Sequence, residues 1–330
     1  MNTKGISINF DRLGMVAKHL AGRPYSAPFN FYSITNASGE SPLLTQFPSP
    51  IQGEHAVLEF FFAETLQEHG FWQEKYGRWQ SSIRGTINGK KLKGSDLMCH
   101  LLMLELRKSE TQFKPSTLAT MQFSRFMEIM HDDLGAIDFP DMPKRYMLWR
   151  LYAEWMVSRS ESPHGIIEKA RESKTPAQTF LGLLKEIPGF NEDPFQKKSN
   201  LLLMYVMNRP ERFIVPELGF SLPAMIDYHV MRLLLRFGVV CLSAELRIEN
   251  QARSVILEER EATIRHVCEI AMNELVSRSR LPMSEVDALL WNGREFCLEA
   301  TEPDCGRCSL RAVCAQETKL FQPVYRTTHY

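Results

Sequence analysis

The sequence predicts an all-α fold with one small β-hairpin. Apolar residues recur at helical spacing through most of the chain. The one convincing extended signal is Asn88-Gly89 between two short runs, the residue pair that favours a two-residue hairpin turn. The 330 residues, 44% hydrophobic and 24% charged, are ordinary for a globular protein and can bury one large core or two modest ones. There is no internal repeat, no low-complexity segment and no linker clean enough to cut on.

In chain order, 6–21 reads as a first helix carrying Leu13, Val16 and Leu20 on one stripe. The stretch 22–53 is rich in Pro, Ser and Gly and reads as a long irregular connection. Helical patterns follow at 54–69, 95–108, 116–131, 144–158 and 176–186, with the hairpin at 84–94 between the first two. Beyond them come 197–207, 228–237, a long amphipathic run over 242–279 and a helix from Ser284. In the segment 228–237, Val230, Leu234 and Phe237 form the stripe, Asp227 stands where an N-cap belongs, and Gly238 supplies a C-terminal stop.

Net charge is zero, with 39 basic and 39 acidic side chains, which argues against a protein that coats nucleic acid non-specifically. A local surplus does exist: residues 71–118 hold nine Lys/Arg against four Asp/Glu. Lys90, Lys91 and Lys93 lie in its hairpin, as candidate nucleic-acid contacts or as a solvated surface. No apolar run reaches membrane-spanning length, and the first residues lack a signal-peptide pattern, so no membrane partner and a cytoplasmic setting are expected. Cys99, Cys241 and Cys268 lie among apolar residues and read as buried thiols.

Four more cysteines crowd the C-terminal region: Cys297, Cys305, Cys308 and Cys314, spaced C-x7-C-x2-C-x5-C. Thiols clustered this densely without an export signal point to metal ligation rather than disulfides. Four sulfurs and no histidine leave structural zinc or an iron–sulfur cluster.

The stretch Leu290-Trp291-Asn292-Gly293-Arg294-Glu295-Phe296-Cys297, followed by Pro303-Asp304-Cys305-Gly306-Arg307-Cys308, resembles the C-terminal cluster loop of endonuclease III and the adenine-mismatch DNA glycosylases. That family has six residues in the first gap where this chain has seven. The segment Ile226-Asp227-Tyr228-His229-Val230-Met231-Arg232 resembles the same superfamily's signature around its catalytic aspartate, 70 residues before the first cysteine. The resemblance implies a two-lobed helix-hairpin-helix glycosylase fold. It implies a helical body over 1–285, and a 4Fe–4S cluster loop with a tail over 286–330, ligated by the four cysteines. Asp227 would be the catalytic carboxylate, with Tyr228 and His229 beside the substrate. Ile187-Pro188-Gly189-Phe190 matches the family's hairpin turn but lacks its second glycine. Lys198 falls where bifunctional members carry a nucleophilic lysine, with Lys197 as its rival and a candidate DNA contact. The 29 residues from Lys198 to Asp227 are closer to the archaeal 8-oxoguanine glycosylases.

A second resemblance covers the N-terminal two-thirds. Ile6-Ser7-Ile8-Asn9, Glu64-Thr65-Leu66 ahead of Phe71-Trp72, the Gly89-to-Gly94 hairpin and the region around Asp227-Tyr228 are similar to the queuosine-5′-phosphate N-glycosylase (queuosine salvage) family. Its members share the glycosylase core and release a base from a nucleotide. Both resemblances imply cleavage of an N-glycosidic bond, for which a fixed carboxylate suits the cationic sugar of the transition state. The expected substrate is a modified or damaged purine in DNA; the alternative is a free modified nucleotide carrying a 7-deazapurine. A third class is a non-enzymatic nucleic-acid-binding protein in which Asp227 is a cap. Phe71, Trp72, Tyr76 and Trp79 are candidates to stack on the base, or core residues.

Overall fold

The computed structural model describes residues 2–3, 5–23, 31, 47–49 and 52–330; most of the connection expected over 22–53 lies outside them. The described chain is mostly helical, with thirteen α-helices and nine short strands in four small sheets. The β content therefore exceeds the single hairpin that the sequence suggested. Two compact units result. One comprises Met1–Phe29, Glu74–Ser81 and Ser221–Arg326; the other comprises Asn30–Gln73, Ser82–Phe220 and Thr327–Tyr330.

The first unit opens on β1 (Asn2–Thr3) and β2 (Ile6–Ile8), which form an antiparallel sheet with β9 (Val240–Leu242) in the order β1-β2-β9. The expected helix over 6–21 is thus a strand, then α1 (Phe10–Ala21). Ile6 and Ile8 are buried with Ser7 half-buried between them, a period of two that fits a strand. Asn9 then caps α1, accepting the Arg12 amide at 2.9 Å. Leu13, Val16 and Leu20 are buried, and α1 packs on α12 (Glu258–Ser279). Also present are α10 (Tyr228–Phe237), α11 (Ala244–Gln251) and α13 (Met283–Asn292). The helical run expected over 242–279 is broken between α11 and α12. Arg253 adopts φ 55, and the Val255 and Ile256 amides bond to the Gly77 and Val324 carbonyls at 2.8 and 2.9 Å instead of continuing a helix.

The second unit is organised around α2 (Glu54–Gln67), every residue of which is buried from Ala56 onward. A helix buried on every side belongs at the centre of a core, and α2 brings Glu59 and Glu64 in with its apolar residues. It packs against α3 (Gly94–Lys108), α6 (Met142–Ser158), α7 (Pro163–Arg171) and α9 (Lys197–Asn208). The pattern over 116–131 proves to be two helices, α4 (Pro115–Thr120) and α5 (Phe123–Ile129). Met121 between them is extended, and its carbonyl accepts the Tyr146 hydroxyl at 2.8 Å. The helix α7, unexpected from periodicity, starts on a Ser162 cap with Pro163 in its first turn.

Of the strands, β3 (Trp72–Lys75) pairs with β4 (Arg78–Ser82), and β5 (Arg84–Ile87) with β6 (Lys90–Lys93). The last pair is β7 (His131–Asp132) with β8 (Gly135–Ala136). The β5–β6 turn is the expected one, with Asn88 at φ 50 and Gly89 at φ 76. Both turn amides donate to Asp133, at 3.0 and 2.8 Å.

Helix α8 (Pro176–Leu184) packs on α9, and the turn between them holds Gly189 at φ +86. A Cβ there would lie 2.5 Å from Leu66 Cδ2 in the core. Gly189→Ala combines left-handed backbone strain with that collision and should cost about 2–4 kcal/mol, read as a lowered urea midpoint.

Candidate active site

Asp227 is the N-cap of α10: its backbone is extended (ψ −179) and its Oδ1 accepts the Val230 amide at 2.9 Å. Its carbonyl accepts the Met231 amide, and the buried Arg265 guanidinium holds the preceding Ile226 carbonyl at 2.9 Å. The carboxylate is half-buried, and its Oδ2 has no hydrogen-bond partner among the described residues. The helix N-terminus thus fixes one of the two carboxylate oxygens.

Tyr228 and His229 follow, both buried, with rings 4.4 Å apart. His229 Nδ1 lies 3.0 Å from an Arg232 nitrogen. Arginine can only donate, so Nδ1 is the acceptor in this contact. The buried Glu299, in the gap between Cys297 and Cys305, sits 3.5 Å from Arg232 and balances it. One turn on, Arg236 donates to Cys297 Sγ at 3.3 Å, to the Leu298 carbonyl at 2.6 Å and to the Leu320 carbonyl at 2.7 Å. Its own carbonyl accepts the Cys314 thiol at 3.4 Å. The face of α10 carrying His229, Arg232 and Arg236 is thus joined to the cysteine loop.

All four loop cysteines are free thiols in the first unit. Burial, then the neighbouring Cys297 and Cys308 sulfurs, push the Cys305 thiol up. Cys314 is pushed up to about 11, chiefly by burial and partly offset by the Gln316 amide donating to its sulfur. Sulfurs close enough to disfavour one another's ionisation suit a shared cation, which would relieve that repulsion. Among the described residues, no three of these sulfurs lie within 4.8 Å of one another.

Lys198 and Lys197 belong to the second unit. Lys198 is 2% exposed, and its amine donates to the Leu66 carbonyl at 2.8 Å. Burial, reinforced by Lys197, lowers its pKa to about 7. Lys197, expected to contact nucleic acid, is instead buried with its amine 3.4 Å from the Glu68 carbonyl, because its helix begins against the end of α2. The buried Arg145 completes the set, donating to the Gln67 carbonyl at 2.9 Å and to that of His69.

The same unit holds a cluster to which sequence reasoning assigned no role. Glu64, Glu68 and Cys99 are all buried, with donor atoms within 4.8 Å of one another. The Cys99 thiol donates to Glu64 at 2.8 Å. Burial, then Glu68, pushes the Glu64 carboxyl well above its usual range, and burial raises Glu68 despite Lys197. A proton held by Glu64 with Lys197 as counter-charge accounts for the cluster without a metal. Its sequence signal is Glu64 and Glu68, acids four apart where a largely apolar helix ends.

Of the aromatic candidates, Phe71 is buried against Phe139 and the Arg145 guanidinium, and Trp79 against Phe321 and Arg253. Trp72 is buried as well, whereas Tyr76 is 88% exposed. Lys90 and Lys91 are exposed on β6 and Lys93 is half-buried. Phe71, Trp72 and these lysines fall in the second unit; Tyr76, Trp79, Asp227, Tyr228 and His229 fall in the first. No protein-family model matches the chain, and no curated protein matches it in sequence.

Lys198 yields a signed pH dependence. Its pKa falls from 10.5 unfolded to about 7 folded, so the burial penalty is complete below pH 7, fades as pH rises towards 10.5, and vanishes above it. Lys198→Met should stabilise the protein by about 1–3 kcal/mol at pH 6, net of the lost Leu66 bond, with the gain shrinking by pH 10. Urea denaturation across that range checks it.

Proposed function

We propose that the chain is an N-glycosidic bond hydrolase that excises a modified or damaged purine from DNA, with Asp227 as its catalytic carboxylate. The observation that carries this reading is Asp227 itself, whose Oδ1 is locked by the Val230 amide while Oδ2 has no partner among the described residues. Loss of the base leaves positive charge on the sugar, and a carboxylate fixed before the reaction stabilises that charge or orients a water with little reorganisation. A target base in duplex DNA must first leave the stack. Lys90, Lys91 and Lys93 supply charge for the phosphate backbone. Cys297, Cys305, Cys308 and Cys314 would hold a 4Fe–4S cluster, which cross-links their loop beneath α10 and takes no part in bond cleavage.

A second reading, hydrolysis of a free modified nucleotide, is favoured by the burial of Lys197, which withdraws one of four expected backbone contacts. Incubating the protein with DNA carrying assorted modified purines, beside queuosine-5′-phosphate, separates the two by which substrate releases base.

Asp227→Asn should abolish base release with fold and binding retained, because asparagine still caps α10 but carries no charge. Unchanged turnover would return Asp227 to a capping role. Protein purified anaerobically should be brown with about four irons per chain; stoichiometric zinc without iron would refute the cluster. Borohydride should trap no covalent adduct, since the Lys198 amine is buried and engaged by Leu66. A trapped adduct lost in Lys198→Ala would instead establish Schiff-base chemistry.

A further inference from the structure

Arg236 is the buried cation that hydrogen-bonds a sulfur of the cysteine loop. It is 3% exposed, and three acceptors hold its guanidinium: Cys297 Sγ, the Leu298 carbonyl and the Leu320 carbonyl. Its backbone carbonyl accepts the Cys314 thiol and the Glu317 amide. One residue therefore touches two of the four sulfurs, and its charge cannot swing into solvent. Arg311 also lies near Cys305, but on the exposed surface where water screens it.

We infer that Arg236 sets the reduction potential of the thiolate-bound cluster, raising it through its charge and its N–H···S bond to Cys297. This rests on the 4Fe–4S reading of the four cysteines. Hydrogen bonds to the sulfurs, net local charge and solvent exposure are the levers by which a protein tunes such a centre. An electron entering the cluster from an electrode adds one negative charge and takes up no proton. A fixed cation in a poorly screened site favours that reduced form. The guanidinium matters beyond its charge, because its planar fork serves the sulfur and two carbonyls at once, which a lysine amine cannot reproduce.

The full-length protein is purified anaerobically as wild type, Arg236→Gln, Arg236→Lys and Arg311→Gln. Iron content, visible absorption and the midpoint of a mediated redox titration are measured for each. Arg236→Gln should move the oxidised-to-reduced ratio, at the wild-type midpoint, about tenfold towards oxidised, equivalent to about 59 mV for a one-electron couple. Arg236→Lys should fall between that variant and wild type, and Arg311→Gln should change the ratio less than Arg236→Gln does. Iron-loaded Arg236 variants with wild-type midpoints overturn the inference. So does failure of both to keep iron, which would make Arg236 a loop anchor only. A wild type without iron–sulfur absorption removes the cluster reading itself, whereas a brown wild type with unmoved variants removes this inference alone.

Discussion

The C-terminal end of α2 is buried, and a buried helix end presents carbonyls that no residue of the helix can satisfy. Lys198, Arg145 and Lys197 answer this, donating to the carbonyls of Leu66, Gln67 and Glu68, with Arg145 reaching His69 as well. Cations are the right groups, because the negative end of the helix dipole lies there. Each carbonyl stripped of its partner would cost about 1–3 kcal/mol. The arrangement fixes where α9 starts, why Phe71 packs beneath a guanidinium, and why Glu68 needs a counter-charge. It also holds a buried lysine whose pKa has fallen to about 7.

Helix α10 meets a similar difficulty in the first unit with the signs arranged differently. All ten of its residues are buried, so the helix has no solvent face to receive its polar side chains. His229, Arg232 and Arg236 consequently share one face, on which the two arginines find acceptors in Glu299, Gln322 and the cysteine loop. The helix that begins at a half-buried carboxylate is thereby braced by the segment that gathers four sulfurs. Rigidity at the first end derives from contacts made along its whole length.

Local chemistry makes α10 legible in the residues themselves: an aspartate cap, an apolar stripe and a terminal glycine coincide with its observed bounds. The Asn88-Gly89 turn is equally plain, since only a few residues accept the backbone it needs. Long-range partners are not legible. The amide of Ile256 leaves the helical pattern because Val324 claims it, and Met121 is extended where its carbonyl receives Tyr146. Ile6 to Ile8 reads as the start of a helix until β9 supplies a strand to pair with. Two lysines at a helix start look solvated until the carbonyls they cap, about 130 residues earlier in the chain, come into view. Glu64 and Glu68 carry no sequence assignment for the same reason, as their partner Cys99 sits on another helix.

The pairing of Ile8 with Val240 has a consequence for synthesis. On the ribosome β2 is made first, and its hydrogen-bonding partner emerges more than two hundred residues later. Much of the second unit, from Ser82 to Phe220, is already outside the tunnel by then. An apolar strand left waiting with an unpaired edge is a template for mispairing with other nascent chains. Slow elongation between those two points would lengthen that exposure, and a chaperone holding the segment around β2 would shorten it.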